Sequence, residues 1–190
     1  MNKFVELGLS DLLAKKARMQ GWQEPTPIQE KALPAILQGP DLLAIAQTGS
    51  GKTGAFLLPI LDGIGKKPPL QSPAALILAP TRELALQLYQ NVEIFAPSLS
   101  LSGALLIGGV SILRQKEKLM ECPEVVVATP GRLLDHVRQK SIDLSGIRYL
   151  VLDEADRMLD MGFYDDIMQI VKYLPKERLT IMFSASMPAK

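Results

Sequence analysis

Six short apolar runs recur along the 190 residues: Leu42–Ala46, Ala74–Ala79, Ala104–Ile107, Val125–Ala128, Tyr149–Leu152 and Thr180–Phe183. Most are continuous rather than alternating, the pattern of strands covered on both faces of a parallel sheet. The segments between them have helical period and helix-start chemistry. Thr26-Pro27-Ile28-Gln29 reads as a capping box with proline at the first helical position, and Thr129-Pro130 opens another helix in the same way. This alternation predicts an α/β fold: a doubly wound, mostly parallel sheet with helices on both faces. Ligands of such a sheet lie beyond the carboxyl ends of its strands.

The uncharged stretch Ile94–Leu113 is long enough to raise a membrane-spanning reading, but Pro97, its serines and Gly108-Gly109 break it into loop, strand and loop. Glu6 comes too early for a signal peptide, so no membrane association is expected. One Cys and one His exclude a four-ligand zinc site and a disulfide framework, and a reducing, cytoplasmic setting is the expectation. Cys122, beside Pro123 at a strand start, reads as a small buried hydrophobe, and His136, after Asp135 on a helix, as solvent-facing. Residues 65–73 form a surface connection, and no inner linker divides the chain, so 1–190 reads as one domain with 1–39 packed against it. A net charge of +1 confines any nucleic-acid surface to a local patch.

Ala46-Gln47-Thr48-Gly49-Ser50-Gly51-Lys52-Thr53 follows the first strand and opens a helix, the setting a phosphate-binding loop requires. Glycines let backbone N–H groups curl around phosphate oxygens, and the helix start adds its dipole. Lys52 would reach the β and γ phosphates, and the Thr53 hydroxyl would sit on Mg²⁺. Ala46 stands where the general pattern has its first glycine. At the fifth run, Asp153-Glu154-Ala155-Asp156 places three carboxylates at a strand tip. Asp153 is the natural second Mg²⁺ ligand, and Glu154 could orient or deprotonate an attacking water. The alternative is that these acids cap the next helix. With the loop on the same chain, they read as a nucleoside-triphosphate hydrolase site.

Asp153-Glu154-Ala155-Asp156 resembles the signature of the DEAD-box RNA helicases, and the phosphate loop has that family's Ala-x-x-Gly-x-Gly-Lys-Thr form. The resemblance runs in order along nearly the whole chain. Gly21–Gln29 resembles the Q motif, with Phe4 as the upstream aromatic; Pro80–Ala85 resembles motif Ia, and Gly108-Gly109 the GG motif. Thr129-Pro130-Gly131-Arg132 resembles motif Ib, and Ser184-Ala185-Ser186 motif III, with Ser186 where threonine is more usual. The short lead before Gly21 resembles that of bacterial minimal helicases.

The resemblance implies an N-terminal RecA-like domain that binds ATP and Mg²⁺. It implies nucleotide contacts at Phe4, Trp22, Gln29, Gln47, Thr48, Gly49, Ser50, Gly51, Lys52 and Thr53. Gln29 would read the adenine edge, for which a side-chain amide has both donor and acceptor. Phe4 and Trp22 are stacking surfaces or core residues. RNA-backbone contacts would fall on Pro80, Thr81, Arg82, Gly109, Thr129, Gly131 and Arg132; for Arg82 the alternative is an ion pair with a nearby acid. Ser184 and Ser186 would couple the acidic motif to RNA through Asp156. Motifs IV to VI of the family lie outside the chain, so the expected partners are RNA and a second, C-terminal RecA-like domain, with this chain monomeric and nearly inactive alone. The competing readings are a complete P-loop enzyme of another kind, such as a small GTPase or kinase, and a non-catalytic scaffold. The guanine-reading Asn-Lys-x-Asp pattern is absent, and intact Lys52, Asp153 and Glu154 weigh against a scaffold.

Overall fold

In the computed structural model, residues 2–47, 49–68 and 71–186 are described. Three helices lead in: α1 (Lys3–Glu6), α2 (Asp11–Met19) and α3 (Pro27–Gln38), the last starting at the expected proline. Strands and helices then alternate. β1 (Leu42–Ile45) is followed by α4 (Lys52–Gly65), β2 (Ala75–Leu78) by α5 (Arg82–Phe95), and β3 (Gly103–Leu106) by α6 (Ile112–Met120). β4 (Val125–Ala128) precedes α7 (Pro130–Arg138), β5 (Tyr149–Leu152) precedes α8 (Ala155–Asp160) and α9 (Tyr164–Val171), and β6 (Leu179–Ser184) closes the sheet. The expected loop, strand and loop over Ile94–Leu113 becomes the end of α5, a 3₁₀ turn at Ala96–Leu99, β3, and the start of α6.

All neighbours in the sheet are parallel, in the order β1-β6-β5-β2-β4-β3. The apolar runs are continuous because alternate residues serve opposite faces. Ala75, Ile77, Val125, Val127 and Val151 join one core with Leu33, Phe56, Leu58 and Phe95; Leu76, Leu78, Val126, Leu150 and Leu152 join the other with Leu133, Leu134, Met158 and Ile170. Each large apolar side chain so buried contributes about 2 kcal/mol. The edge strand β1 departs from this pattern: Ala44 is buried, but Leu43 and Ile45 are each 53% exposed. Among the described residues, no helix is long and apolar enough to cross a membrane.

Parallel order sends every strand's carboxyl end to one side of the molecule. The loops leaving β1 to β6 there are Ala46–Gly51, Pro80-Thr81, Gly108-Gly109, Thr129, Asp153-Glu154 and Ser184–Ser186. Sheet order places the phosphate loop at one edge of this side, the glycine pair at the other, and the acidic segment between them.

Candidate functional site

The phosphate loop is a tight turn held by its own backbone. Gly49 (φ +81°) and Gly51 (φ +92°) take left-handed conformations that disfavour other residues, and the Ser50 hydroxyl donates to the Gln47 carbonyl at 2.7 Å. Lys52 starts α4 with its side chain buried; Nζ lies 3.7 Å from Asp153 Oδ1 and has no hydrogen-bond partner among the described residues. A buried ammonium without a partner is a site made for an anion. Burial holds the Asp153 carboxyl above its ordinary range, with Lys52 opposing and Glu154 reinforcing the shift. The donor set therefore fits a triphosphate with a divalent ion. Among the described residues, no group of three or more His, Cys, Asp or Glu gathers, so that ion would rest on Thr53, Asp153 and the phosphates themselves.

These groups line a cleft of about 610 Å³. Trp22, Gln29, Gly49, Gly51, Lys52, Thr53, Asp153 and Glu154 all border it. Gln29 is buried and bridges two elements: Oε1 accepts the Thr26 N–H at 3.0 Å, and Nε2 donates to the Gly51 carbonyl at 3.0 Å. One donor and one acceptor site of the amide remain, the pair an adenine edge needs. Trp22 lines the cleft, and its ring packs 5.0 Å from Phe95. Phe4 is fully buried in the core and does not border the cleft. Gln47 and Ser50 form the turn without lining the cleft, and Thr48 lies outside the described residues. Leu84, Gln87 and Asn91 on α5 do line it, which no local pattern announced.

The acids cap the start of α8 only in part: Asp156 Oδ1 accepts the first-turn Arg157 N–H at 3.0 Å, and Asp153 Oδ1 the Glu154 N–H at 3.0 Å. Glu154 is the N-cap of α8 without a side-chain cap bond, and sits at φ +54°. Its carboxylate borders the cleft and pairs with Arg157 Nη1 at 3.1 Å. Asp156 Oδ2 accepts from Ala185 N, Ser186 N and Ser186 Oγ, and the Ser184 hydroxyl donates to the Ser186 carbonyl. The acidic strand end is thereby tied to the end of β6.

A second concavity, about 460 Å³, lies further along the same side. Pro80, Thr81, Arg82, Thr129, Gly131 and Arg132 line it, joined by Gly108, Glu83, Asp135, Met161 and Phe163. Gly109 stands just outside. Arg82 makes no ion pair among the described residues; its guanidinium lies over the glycine pair, so close that a Cβ on Gly109 would meet Nη1 at 2.4 Å. Arg132 Nη1 donates to the Val110 carbonyl at 2.9 Å. Thr81 caps α5 by accepting the Leu84 N–H, and α5 and α7 both start at this groove, presenting first-turn N–H groups. Two arginines and two helix starts suit a phosphate backbone.

Two expectations outside these sites are corrected. His136 is fully buried, because it falls three residues after Leu133 on the apolar stripe of α7. Cys122 is exposed, because it occupies a left-handed turn position (φ +54°) after α6 that points its side chain outward.

Fold and cleft together define a P-loop nucleotide-binding domain of the RecA-like kind. Residues 26–190 match the DEAD/DEAH box helicase family, and the chain belongs to it. The "ATP-dependent rRNA helicase rrp-3" of Neurospora crassa is 49% identical over 189 residues, 98% of this chain and 36% of that protein. The human "Probable ATP-dependent RNA helicase DDX47" is 44% identical over 188 residues, 98% of this chain and 41% of that protein. The "ATP-dependent RNA helicase CshA" of Limosilactobacillus reuteri is 45% identical over 98% of this chain and 37% of that protein. A crystal structure of a DEAD box protein from the hyperthermophile Methanococcus jannaschii superposes with a TM-score of 0.90 at 38% identity, over 97% of this chain and 50% of that one. The chain thus spans 36–41% of the length of these curated relatives.

Proposed function

We propose that this chain is the ATP- and RNA-backbone-binding half of an ATP-dependent RNA helicase, whose hydrolytic site closes only against a second RecA-like domain. The observation that carries the reading is the arrangement on one side of the sheet. A nucleotide cleft and a backbone groove are both bordered by α5, the groove by Arg82 and Glu83 and the cleft by Leu84, Gln87 and Asn91, with Asp153 and Glu154 lining the cleft.

Bound Mg-ATP would bring the phosphoanhydride bond and the divalent charge that polarises it. The chain's residues hold and orient. Gln29 offers its remaining N–H and lone pair to adenine, and Trp22 a ring face to the base. Lys52 neutralises phosphate charge, and Thr53 and Asp153 hold the ion. The Glu154 carboxylate, released from Arg157, takes the proton of an attacking water. Across the groove, Arg82, Arg132 and the N–H groups at the starts of α5 and α7 bind phosphates without reading bases, so binding is indifferent to sequence.

A second domain adds the groups that stabilise charge on the transferred phosphoryl; an arginine finger alone contributes about 10³–10⁵ in rate. The test is ATP turnover with and without single-stranded RNA, by this chain alone and mixed with the C-terminal domain of a relative. Near silence alone and RNA-stimulated turnover on mixing are expected. Efficient turnover by this chain alone would overturn the reading in favour of a self-sufficient nucleotidase.

A further inference from the structure

A buried chain of polar groups lies behind the backbone groove, in contact with neither ligand site. Gln115 on α6 is buried; its Nε2 donates to the Ile107 carbonyl at 2.9 Å, and its Oε1 stands 3.0 Å from His136 Nε2. A carbonyl only accepts, so the amide orientation is fixed, and His136 must carry its proton on Nε2. His136 Nδ1 stands 2.8 Å from Ser141 Oγ, whose one hydroxyl proton is shared between Nδ1 and the His136 carbonyl at 3.1 Å. Burial lowers the His136 pKa, and Arg132 and Lys116 lower it further against Asp135, so the ring is neutral. Each end of this chain meets a backbone-binding element. Ile107 directly precedes Gly108-Gly109, and His136 sits one helical turn beyond Arg132 on α7.

We infer that the Gln115–His136 pair is a positioning element for RNA-backbone binding, fixing the Gly108–Val110 loop against the first turn of α7. This inference rests on the reading of the groove given above. Among the described residues, the one hydrogen bond from that loop to α7 is Arg132 Nη1 on the Val110 carbonyl. An arginine that turns to a phosphate gives up that tie. The buried pair is out of reach of RNA and keeps the spacing between Gly109 and Arg132 while the groove is occupied. A core network without functional bearing would affect folding alone.

The test uses this chain and a short single-stranded oligouridylate, with affinity read by fluorescence anisotropy and nucleotide affinity read in parallel. Gln115→Met and His136→Phe keep the volume; the first removes two buried hydrogen bonds, the second one buried and one part-buried. Each is expected to weaken RNA binding about five- to thirty-fold, with nucleotide affinity unchanged within about twofold. Because the two act as one unit, the double variant is expected to be no weaker than the worse single by more than about twofold. Unchanged RNA affinity in both singles, multiplicative losses in the double, or equal losses for nucleotide and RNA would each overturn the inference. Arg132→Ala separates the two levels. If it leaves RNA binding intact, the groove reading falls and this inference with it; if it abolishes binding while the core variants do not, only this inference falls. Should His136→Phe not fold, hydrogen exchange of residues 108–110 in Gln115→Met decides: faster exchange supports the inference, and an unchanged rate overturns it.

Discussion

Asp156 and Ser186 are thirty residues apart in sequence, yet Asp156 Oδ2 accepts both the Ser186 N–H at 3.0 Å and the Ser186 hydroxyl at 2.9 Å. Desolvation pushes the Asp156 carboxyl up, but the bonds from Ser186 and the Arg157 N–H outweigh it and hold the group below its ordinary range. A lowered folded pKa contributes stability above the unfolded value and loses it as pH falls through the folded one. Acid titration of the thermal midpoint should therefore fall more steeply in the wild type than in Asp156→Asn. Ser186→Ala should cost about 0.5 kcal/mol in urea unfolding, the low end for an accessible bond, while Ser186→Thr should be neutral.

Gly54→Ala should damage nucleotide binding although alanine is the better helix former by about 1 kcal/mol. A Cβ there would meet the Trp22 ring and Gln29 Nε2, each at 2.6 Å. Both side chains line the cleft, so displacement loosens the base contacts. Titration with a fluorescent ATP analogue should show a loss of about tenfold or more, with RNA affinity unchanged.

Glu154 holds a left-handed conformation without being glycine. Such backbone costs about 1–2 kcal/mol. Glu154→Gly should raise the urea midpoint by relieving part of that strain and should abolish RNA-stimulated turnover in the mixed-domain assay. Stability and turnover would move in opposite directions from one substitution.

His136 makes a pH prediction of opposite origin. Its folded pKa lies below the ordinary 6.5, through burial first and then Arg132 and Lys116. The unfolded chain therefore binds the proton first, and stability drops as pH falls from about 6.5 toward the folded value, then levels. Thermal melts at about pH 7.5 and 5.5 should show a drop in the wild type that His136→Phe lacks.

Much of this arrangement could be read from local pattern. The continuous apolar runs match all six strands to within a residue or two, since alternate residues must fill opposite cores. The phosphate loop and the acidic strand end are local as well, each a strand, a turn and a helix start. Contacts set by strand order were not legible. Arg82 covers Gly108-Gly109 because β2 and β3 both flank β4, and nothing in the spacing of those residues says so. Leu84, Gln87 and Asn91 reach the cleft only because α5 packs beside α4, and Met161 and Phe163 reach the groove through the turn between α8 and α9. His136 did leave a signal: Leu133, His136 and Val137 share one face of α7, and a polar residue on an apolar stripe implies buried partners.

On the proposed reading, the double attachment of Gln29 would set how the cleft tells one purine from another. The same amide that lines the cleft holds the carbonyl of Gly51, the residue just before Lys52. A base presenting the opposite donor–acceptor order is matched only by turning that amide over, which withdraws its N–H from the phosphate loop. A mismatched nucleotide then loses twice, at the ring and again at its triphosphate tail. Discrimination of this kind behaves like a lock with two tumblers on one spindle, sharper than a single edge contact allows.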